Sequence, residues 1–345
     1  MRAAYRRSGR RACDGAFQWL TGYSVPLASP PQVQIASDQL VVQVCLPDSE
    51  DGFYKGTRFD WSGVLTGLQY RGHQYYGPWY TKRVPTVYDY VDDGADIIAG
   101  RQSAITGPAE EFPQPQGFES ARVGENFVKL GVGLLRKAAE APYSCYESYE
   151  IADPGSRSVR TTPTSVEFTH ELGDARTGFG YIYRKTVSVD SARPDLLIEH
   201  VLQNTGRVAI KTEQYNHNFL TLDGARVGPC FRITLPFHIR TPSPPDPKLA
   251  VIRENELQFS KALAPHEVVS VPMLGFGGDS SDYDIRVENK KTGAGVRITG
   301  DRPLSKLALW SIRSVLSVEP FVDVSTEPGA STTWTYNYTH YVVDK

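Results

Sequence analysis

A histidine stands at the centre of a polar stretch that covers residues 213–224 and reads Glu-Gln-Tyr-Asn-His-Asn-Phe-Leu-Thr-Leu-Asp-Gly. The β-branched residues within 208–211 mark a strand before it, and its Asp-Gly end is a turn signal. An imidazole changes charge near neutral pH, and a strand can hold it rigidly enough to transfer a proton. The sequence therefore predicts that His217 is an acid–base residue on a strand.

This stretch and a segment near the C-terminus match two motifs of one family. Residues 216–219 read Asn-His-Asn-Phe and are followed by Leu222 and Gly224. Residues 318–323 read Val-Glu-Pro-Phe-Val-Asp, and a Pro-Gly turn and a Thr-Trp-Thr-Tyr strand follow them. The first segment resembles the Asn-His-x-Tyr-Phe-Asn-Leu-x-Gly motif of the aldose 1-epimerases (galactose mutarotases). The second is similar to the segment that carries the base glutamate of that family.

The resemblance implies roles for both motifs. Glu319 would remove the proton of the anomeric hydroxyl while His217 protonates the ring oxygen, and the open aldehyde would rotate and close from its other face. These roles require that Glu319 is ionised and that His217 holds a proton near neutral pH, which a neighbouring carboxylate favours. Asn216 and Asn218, on either side of the histidine, are candidate substrate-binding residues. No cofactor is required for this chemistry.

Residues 54–63 place a cation, a carboxylate and an indole close together before a predicted strand. An arginine can fork onto sugar hydroxyls or onto a carboxylate, so Arg58 and Asp60 are candidate substrate-binding residues. A structural ion pair between Arg58 and Asp60 is the alternative. His73 is a further candidate, although it can equally occupy the tip of a hairpin. The family segment Asn-x-Leu-His-Gly-Gly, which carries a second sugar-binding histidine, is absent from the sequence.

Two adjacent glutamates and one lysine complete the candidate substrate-binding residues. Glu110 and Glu111 point to opposite faces if they lie on a strand, so one can bind sugar hydroxyls while the other is solvated. Lys129 follows Val128 in an apolar stretch and needs a partner if it points inward, which a glutamate of the preceding segment can supply. Solvated loop acids and an outward lysine are the alternative.

The composition gives no reason to expect several other classes of partner or site. A formal charge of −2 and a pI near 6.4 do not indicate nucleic-acid binding, and no stretch approaches the ~20 apolar residues of a membrane-spanning helix. The histidines lack the spacing of a transition-metal site. The cysteines lack it as well, and we interpret them as free thiols, which favours a cytoplasmic protein; they are Cys13, Cys45, Cys145 and Cys230.

Hydrophobic residues recur mostly with a period of two from Gln39 onward, which predicts strands. The predicted strands cover residues 39–44, 63–70, 165–172, 181–189, 196–202, 230–237, 256–263, 283–288, 295–299, 307–318 and 332–343. Because hardly any stretch has the pattern of an amphipathic helix, the fold class is all-β, a large antiparallel sandwich. The resemblance narrows it to the mutarotase-like β-supersandwich, with a sugar-binding cleft on a concave face.

The N-terminal segment differs in composition from the rest of the chain. Five arginines precede the first acidic residue, Asp14, and three prolines follow within residues 26–31. We expect residues 1–36 to form a flexible basic extension and residues 37–345 to form the sandwich domain. A transit peptide is the alternative for the extension.

The sequence therefore predicts a carbohydrate-active enzyme of the aldose 1-epimerase type, an isomerase acting on a sugar or glycoside. Two alternatives stay open: a lyase or glycosidase on the same scaffold, with Arg58 or Lys129 neutralising a uronate carboxylate, and a non-catalytic sugar-binding protein. We expect no nucleic-acid or membrane partner. The sequence does not distinguish a monomer from a homodimer.

Overall fold

The computed structural model describes residues 29–343, and nearly all of its regular structure is β-strand. The strands are β1 Gln32–Ala36, β2 Leu40–Cys45, β3 Leu65–Tyr70, β4 His73–Gln74, β5 Lys82–Arg83, β6 Tyr90–Asp92, β7 Ile97–Ala99, β8 Gly107–Glu111, β9 Asn126–Lys129, β10 Gly133–Arg136, β11 Glu150–Asp153, β12 Ser156–Thr161, β13 Ser165–Gly173, β14 Gly180–Val189, β15 Asp195–Asn204, β16 Ile210–Phe219, β17 Phe231–Thr234, β18 Ala250–Arg253, β19 Glu256–Phe259, β20 Val269–Pro272, β21 Asp284–Asn289, β22 Ala294–Gly300, β23 Lys306–Ile312, β24 Val315–Thr326 and β25 Ser331–Val342. Helical structure in this range is limited to two 3₁₀ turns, Leu222–Gly224 and Ser280–Asp282. None of the helices found there is long and apolar enough to cross a bilayer.

The strands form two large sheets and three small ones. The largest sheet has ten strands in the order β12-β13-β14-β15-β25-β22-β21-β17-β19-β18, and the second has five in the order β20-β23-β24-β16-β8. The small sheets have the orders β1-β2-β3-β4, β11-β10-β9 and β5-β7-β6. The pairing of β5 with β7 is parallel, whereas the ladders of both large sheets are antiparallel.

The core lies between the two large sheets. Along β14 and β15 buried and more exposed side chains alternate, which is the pattern of a strand with one face against a core. Ile198 and Tyr336 of the ten-stranded sheet share one continuous apolar cluster with Val318 and Val322 of the five-stranded sheet. The predicted all-β antiparallel sandwich is therefore confirmed.

The first sheet begins earlier than the sequence indicates. Strand β1 lies within residues 1–36, the segment assigned to the basic extension, and it pairs with β2 from Gln32 to Ala36. The sandwich therefore includes these five residues. The rest of the expected extension, up to residue 28, lies outside the described residues.

One predicted strand is in fact two. Residues 307–318 contain a hairpin turn, because β23 ends at Ile312 and β24 begins at Val315. The turn contains no glycine or proline and is held by tertiary contacts. Arg313 donates from Nε and Nη2 to the carboxylate of Asp92, both at 2.9 Å, and Ser314 Oγ donates to the carbonyl oxygen of Trp79 at 2.7 Å. Such contacts leave no local signal in the sequence.

Candidate active site

The five-stranded sheet brings the two acid–base candidates together. Strand β16 lies between β8 and β24, and the pairings Tyr215 with Phe321 and Leu220 with Leu316 set its register against β24. This register places His217 opposite Glu319. The Nε2 atom of His217 lies 3.2 Å from Oε1 of Glu319, so two residues about a hundred positions apart form a direct contact.

The alternation of β16 separates the histidine from the asparagines beside it. Asn216 and Asn218 point into the space between the sheets, where the amide of Asn216 donates to Tyr338 Oη at 2.8 Å and the Tyr338 hydroxyl donates to Asn218 Oδ1 at 2.9 Å. Both asparagines are fully buried. They do not line the cavity that contains His217, because neighbouring residues of a strand point to opposite faces.

The His217–Glu319 pair lies in a cavity of about 220 Å³. The residues that line it are Arg58, Trp79, Asp89, Tyr90, Ser103, Tyr146, His217, Phe219, Ser270, Ala308, Leu309, Trp310 and Glu319. Trp79, Tyr90 and Trp310 pack edge-to-face on one another with centroids 5.4–5.9 Å apart. The cavity thus combines an acid–base pair and an arginine with aromatic walls, which can pack against the C–H faces of a sugar ring.

The imidazole of His217 is fixed by aromatic packing. It stacks on Phe219 with the ring centroids 3.8 Å apart, and Phe59 and Trp310 approach it edge-on at 6.0 and 5.5 Å. The Nδ1 atom is buried and has no hydrogen-bond partner among the described residues. Its only polar protein contact there is therefore made through Nε2 to Glu319.

Burial shifts the proton affinities of the two partners in opposite directions. It raises the pKa of Glu319 from 4.5 to about 7, against the lowering effect of the Arg58 charge. It lowers the pKa of His217 well below 6.5, and Arg58 acts in the same direction. Both shifts oppose the expected combination of an ionised Glu319 and a protonated His217 in the resting pair. Desolvation is the largest cause of both shifts, and it favours the neutral arrangement with the proton on the carboxyl group.

Arg58 reaches the cavity from a buried ionic cluster. Its Nε donates to Glu111 Oε2 at 2.8 Å and its Nη2 donates to Tyr215 Oη at 2.9 Å, while the Tyr215 hydroxyl donates to the same carboxylate oxygen at 2.7 Å. Lys129 Nζ lies 3.2 Å from Glu111 Oε1 and donates to the carbonyl oxygen of Phe112 at 2.7 Å. The predicted glutamate partner of Lys129 is thus confirmed. The predicted alternative of an Arg58–Asp60 ion pair is wrong, because Arg58 pairs with Glu111.

Glu110 belongs to a second cluster on the opposite face of β8. Its carboxylate lies 3.0 Å from His200 Nε2 and 3.0 Å from Lys185 Nζ, and the same lysine lies 3.4 Å from Asp60. All four side chains are buried. The predicted divergence of Glu110 and Glu111 is confirmed, but both carboxylates are buried and neither is the solvated acid expected for one of them.

The structure therefore sorts the predicted site residues into three groups. His217, Glu319 and Arg58 line one cavity, and Glu111 and Lys129 lie directly behind Arg58. Away from the lining of that cavity lie Asp60, Glu110, Asn216, Asn218 and His73. His73 Nδ1 instead contacts the carboxylate of Asp223 at 3.0 Å, where strand β4 meets the first 3₁₀ turn.

Comparisons in sequence and in three dimensions give different results. The sequence matches no protein-family model and no curated protein. The fold is similar to that of the Slr1438 protein of Synechocystis, with 10% identity, a TM-score of 0.52 and coverage of 91% of this chain and 96% of that one. It is also similar to a galactose mutarotase related enzyme of Lactobacillus acidophilus, with 12% identity, a TM-score of 0.50 and coverage of 91% of this chain and 99% of that one. A galactose mutarotase-like protein of Clostridium acetobutylicum is similar as well, with 9% identity, a TM-score of 0.50 and coverage of 90% of this chain and 95% of that one.

The chain has the galactose mutarotase-like fold. The predicted supersandwich is thereby confirmed, and it extends over about nine-tenths of the chain. At identities of 9–12% the likeness establishes the architecture alone. Any catalytic function of this chain depends on the residues of the cavity.

Several cavity residues of this mutarotase fold were not among the predicted site residues. Asp89 and Ser103 come from segments without strand periodicity, and Trp310 lies on the stretch that was predicted to be one long strand. Asp89 does have a local signal, because it lies between Tyr88 and Tyr90. An acid flanked by two aromatic residues is a pattern that suits sugar binding.

A larger groove of about 590 Å³ lies elsewhere on the mutarotase scaffold. Its lining residues are Ser49, Phe53, Tyr54, Lys55, Trp61, Arg83, Val84, Pro85, Ala99, Gly100, Arg101, Ala104, Ile151 and Pro154. This lining contains neither a histidine nor a carboxylate, so it offers no acid–base pair. Of these two cavities, only the smaller one contains an acid–base pair in direct contact. Within residues 29–343, no group of three or more His, Cys, Asp or Glu side chains is arranged to hold a metal ion.

Proposed function

We propose that this chain is an isomerase of the aldose 1-epimerase type, which interconverts the anomers of a free sugar. The observation that carries the proposal is the 3.2 Å contact between His217 Nε2 and Glu319 Oε1 inside a cavity that also contains Arg58. The anomeric hydroxyl and the ring oxygen are bonded to the same carbon. Two acid–base groups in direct contact are therefore close enough together to address both oxygens.

The reaction needs one proton shared by the pair. One partner removes the proton of the anomeric hydroxyl while the other protonates the ring oxygen, the bond between C1 and the ring oxygen breaks, and C1 becomes the aldehyde carbon. Rotation about the C1–C2 bond and closure with reversed roles give the other anomer and return the proton to the partner that held it at the start. Only protons move, so the proposal includes no cofactor.

Burial determines where that proton rests before the reaction. The raised pKa of Glu319, about 7, favours the form with a protonated carboxyl group and a neutral imidazole. Transfer across the 3.2 Å contact gives the form that the family resemblance implies, in which Glu319 is the base and His217 the acid. Either form can open the ring, because each contains one donor and one acceptor.

Charge and size support this reaction over the lyase alternative. Arg58 and Lys129 both already contact the carboxylate of Glu111, and the cavity lining contains the acid Asp89, which would repel a uronate carboxylate. The cavity volume of about 220 Å³ is below the ~300–1,000 Å³ that is typical of sites for larger organic ligands. Both features favour a single, uncharged sugar ring over an acidic polysaccharide.

Polarimetry and NMR of freshly dissolved α-glucose and α-galactose test the proposal. We expect the wild type to accelerate anomer exchange, and we expect His217→Ala and Glu319→Gln to lose about 10²–10⁴-fold of that acceleration. His73→Ala is the matched control, because His73 contacts Asp223 and does not line the cavity. A wild-type rate equal to that of buffer for a panel of free aldoses would exclude the epimerase activity. Sugar binding that survives in His217→Ala would then identify a non-catalytic binding protein.

A further inference from the structure

Asp89 adds a carboxylate to the cavity that the proposed reaction does not use. It immediately precedes β6 and lines the same cavity as His217 and Glu319. Among the described residues it makes no ion pair, and no hydrogen bond joins it to the acid–base pair. Asp89 is partly buried, and it lines the cavity together with Tyr90 and Trp310.

A short turn at residues 100–103 fixes the position of Asp89. The N–H of Gly100 donates to the carbonyl oxygen of Asp89 at 2.7 Å, and Ser103 Oγ donates to Asp89 Oδ1. A Cβ atom at Gly100 would lie 2.1 Å from the carbonyl oxygen of Val87, so this close approach of two backbones requires glycine. Asp89 is therefore held through both its backbone carbonyl oxygen and its side-chain carboxylate.

The same turn also positions Arg58. The side-chain oxygen of Gln102 accepts hydrogen bonds from the N–H groups of Thr57 and Arg58, at 2.7 and 3.1 Å. One turn thus aligns a cation and an anion on the wall of the cavity, Arg58 through Gln102 and Asp89 through Ser103. Such preorganisation is typical of groups that orient a ligand, because the binding free energy is not spent on ordering them.

One oxygen of the Asp89 carboxylate has no protein donor. Oδ1 accepts from Ser103, whereas Oδ2 has no hydrogen-bond donor among residues 29–343. Burial raises the pKa of Asp89 above its ordinary 3.8, and the Ser103 hydrogen bond and the Arg58 charge oppose this shift. An acceptor that faces a cavity and lacks a donor fits a ligand that brings its own hydroxyl groups.

We propose that Asp89 is a hydroxyl-binding subsite that accepts hydrogen bonds from sugar hydroxyls remote from the anomeric carbon, and that it determines which sugars the cavity accepts. The kinetic test of this subsite rests on the proposed epimerase function, whereas the binding test does not. The role is one of positioning and specificity, since Asp89 has no contact with the groups that transfer protons. Its ligand class is a neutral pyranose with its hydroxyl groups unmodified.

The kinetic experiment compares Asp89→Asn with Asp93→Asn in the full chain. Asp93 is a matched control because it is an acid four residues away that caps the N–H groups of Ala95 and Asp96 and does not line the cavity. For Asp89→Asn we expect KM to rise about ten- to a hundredfold, because one charge-assisted hydrogen bond to the sugar is lost. We expect kcat to stay unchanged. In a series of monodeoxy sugars, the wild type should show a KM raised by a similar factor for one member relative to the parent sugar. Asp89→Asn should show no such difference in KM between that member and the parent sugar. A fall in kcat at constant KM, or unchanged discrimination in the variant, would overturn the subsite.

A binding experiment separates this proposal from the proposed function. The 1,5-anhydrohexitols lack the anomeric hydroxyl and cannot turn over, and their binding can be followed by the fluorescence of Trp79 and Trp310 in the cavity wall. Weaker binding to Asp89→Asn than to wild type and Asp93→Asn supports the subsite even if no sugar is epimerised. Equal affinity of all three proteins, or no binding of the gluco, galacto and manno compounds to the wild type, overturns the subsite even if epimerase activity is found. Equal melting temperatures of the variants show that folding is not the cause.

Discussion

Glu110 and Glu111 are neighbours in the chain, yet their carboxylates belong to separate ionic clusters on opposite faces of β8. Glu110 contacts His200 and Lys185 between the sheets, whereas Glu111 contacts Arg58 and Lys129 beside the cavity. The cross-strand partners follow the same division, since Glu110 pairs with inward-facing Asn216 and Glu111 with Tyr215, whose hydroxyl binds it. One strand therefore stabilises the core with one acid and supports the candidate site with the next.

Replacing Glu111 by glutamine should destabilise the fold and disturb the site together. Lys129 is 0% exposed, and without its carboxylate partner the ammonium group would be a buried, unpaired charge. Breaking a buried pair in this way costs about 3–5 kcal/mol of unfolding free energy. We expect a loss of this size in urea-induced unfolding of Glu111→Gln, together with a raised KM because Arg58 loses its anchor.

The matched variant removes the other charge. In Lys129→Met the carboxylate of Glu111 keeps its bonds from Arg58 and Tyr215, so we expect a smaller loss of unfolding free energy than in Glu111→Gln. The double variant should be more stable than Glu111→Gln alone, because it contains no unpaired ammonium group. Equal losses in both single variants would contradict this account of the cluster.

The activity should depend on pH through the single proton of the His217–Glu319 pair. The pair titrates as a unit, losing its last proton near pH 7, the raised pKa of Glu319, and gaining a second only well below 6.5, the ordinary pKa of histidine. We therefore expect kcat/KM to be constant from about pH 7 down to the pH at which the pair gains its second proton, and to fall about tenfold per pH unit above pH 7. Polarimetry corrected for the buffer-catalysed rate measures this profile. A rise above pH 7 would mean that the fully deprotonated pair is the active form.

The same carboxyl group should make stability depend on pH. Because the folded-state pKa of Glu319 is raised from 4.5 to about 7, the protonated form stabilises the fold fully below pH 4.5, and this contribution is lost as the pH rises through 7. The shift corresponds to about 3 kcal/mol. Glutamine remains neutral, so the unfolding free energy of Glu319→Gln relative to wild type should increase by about this amount between about pH 4 and 8. Glu119→Gln, at an exposed position, is the control, and a difference that is independent of pH would contradict the prediction.

The architecture could be predicted from the sequence because hydrophobic residues recur with a period of two over most of the chain. Strands β13, β14 and β15 lie where the alternation predicts them, within one or two residues at each end. The hairpin between β23 and β24 was not readable. Its turn is held by Arg313 on Asp92, a contact between residues more than two hundred positions apart, and no turn-forming residue marks it.

The candidate site was readable only in part. Motif resemblance identified His217 and Glu319, and the requirement for a partner to Lys129 identified a nearby glutamate. The alternation that separates Glu110 from Glu111 also separates His217 from Asn216, yet the asparagine was predicted to bind substrate because of its place in the motif. Asp89 was missed because it lies outside any strand and its neighbours in space come from the distant turn at residues 100–103.

The division of β16 into two faces leads to a last prediction. Asn216 donates to Tyr338 Oη at 2.8 Å and accepts from the side-chain amide of Gln214 at 2.9 Å, all within the core. Asn216→Ala removes these two buried hydrogen bonds, at a cost of about 0.5–1.5 kcal/mol each, so urea-induced unfolding should show a clear loss while KM stays near the wild-type value. Trp310→Ala is the contrasting variant, because its ring lines the cavity and packs on His217, and we expect a raised KM. A raised KM in Asn216→Ala at unchanged stability would place the asparagine at the sugar and overturn the assignment of faces.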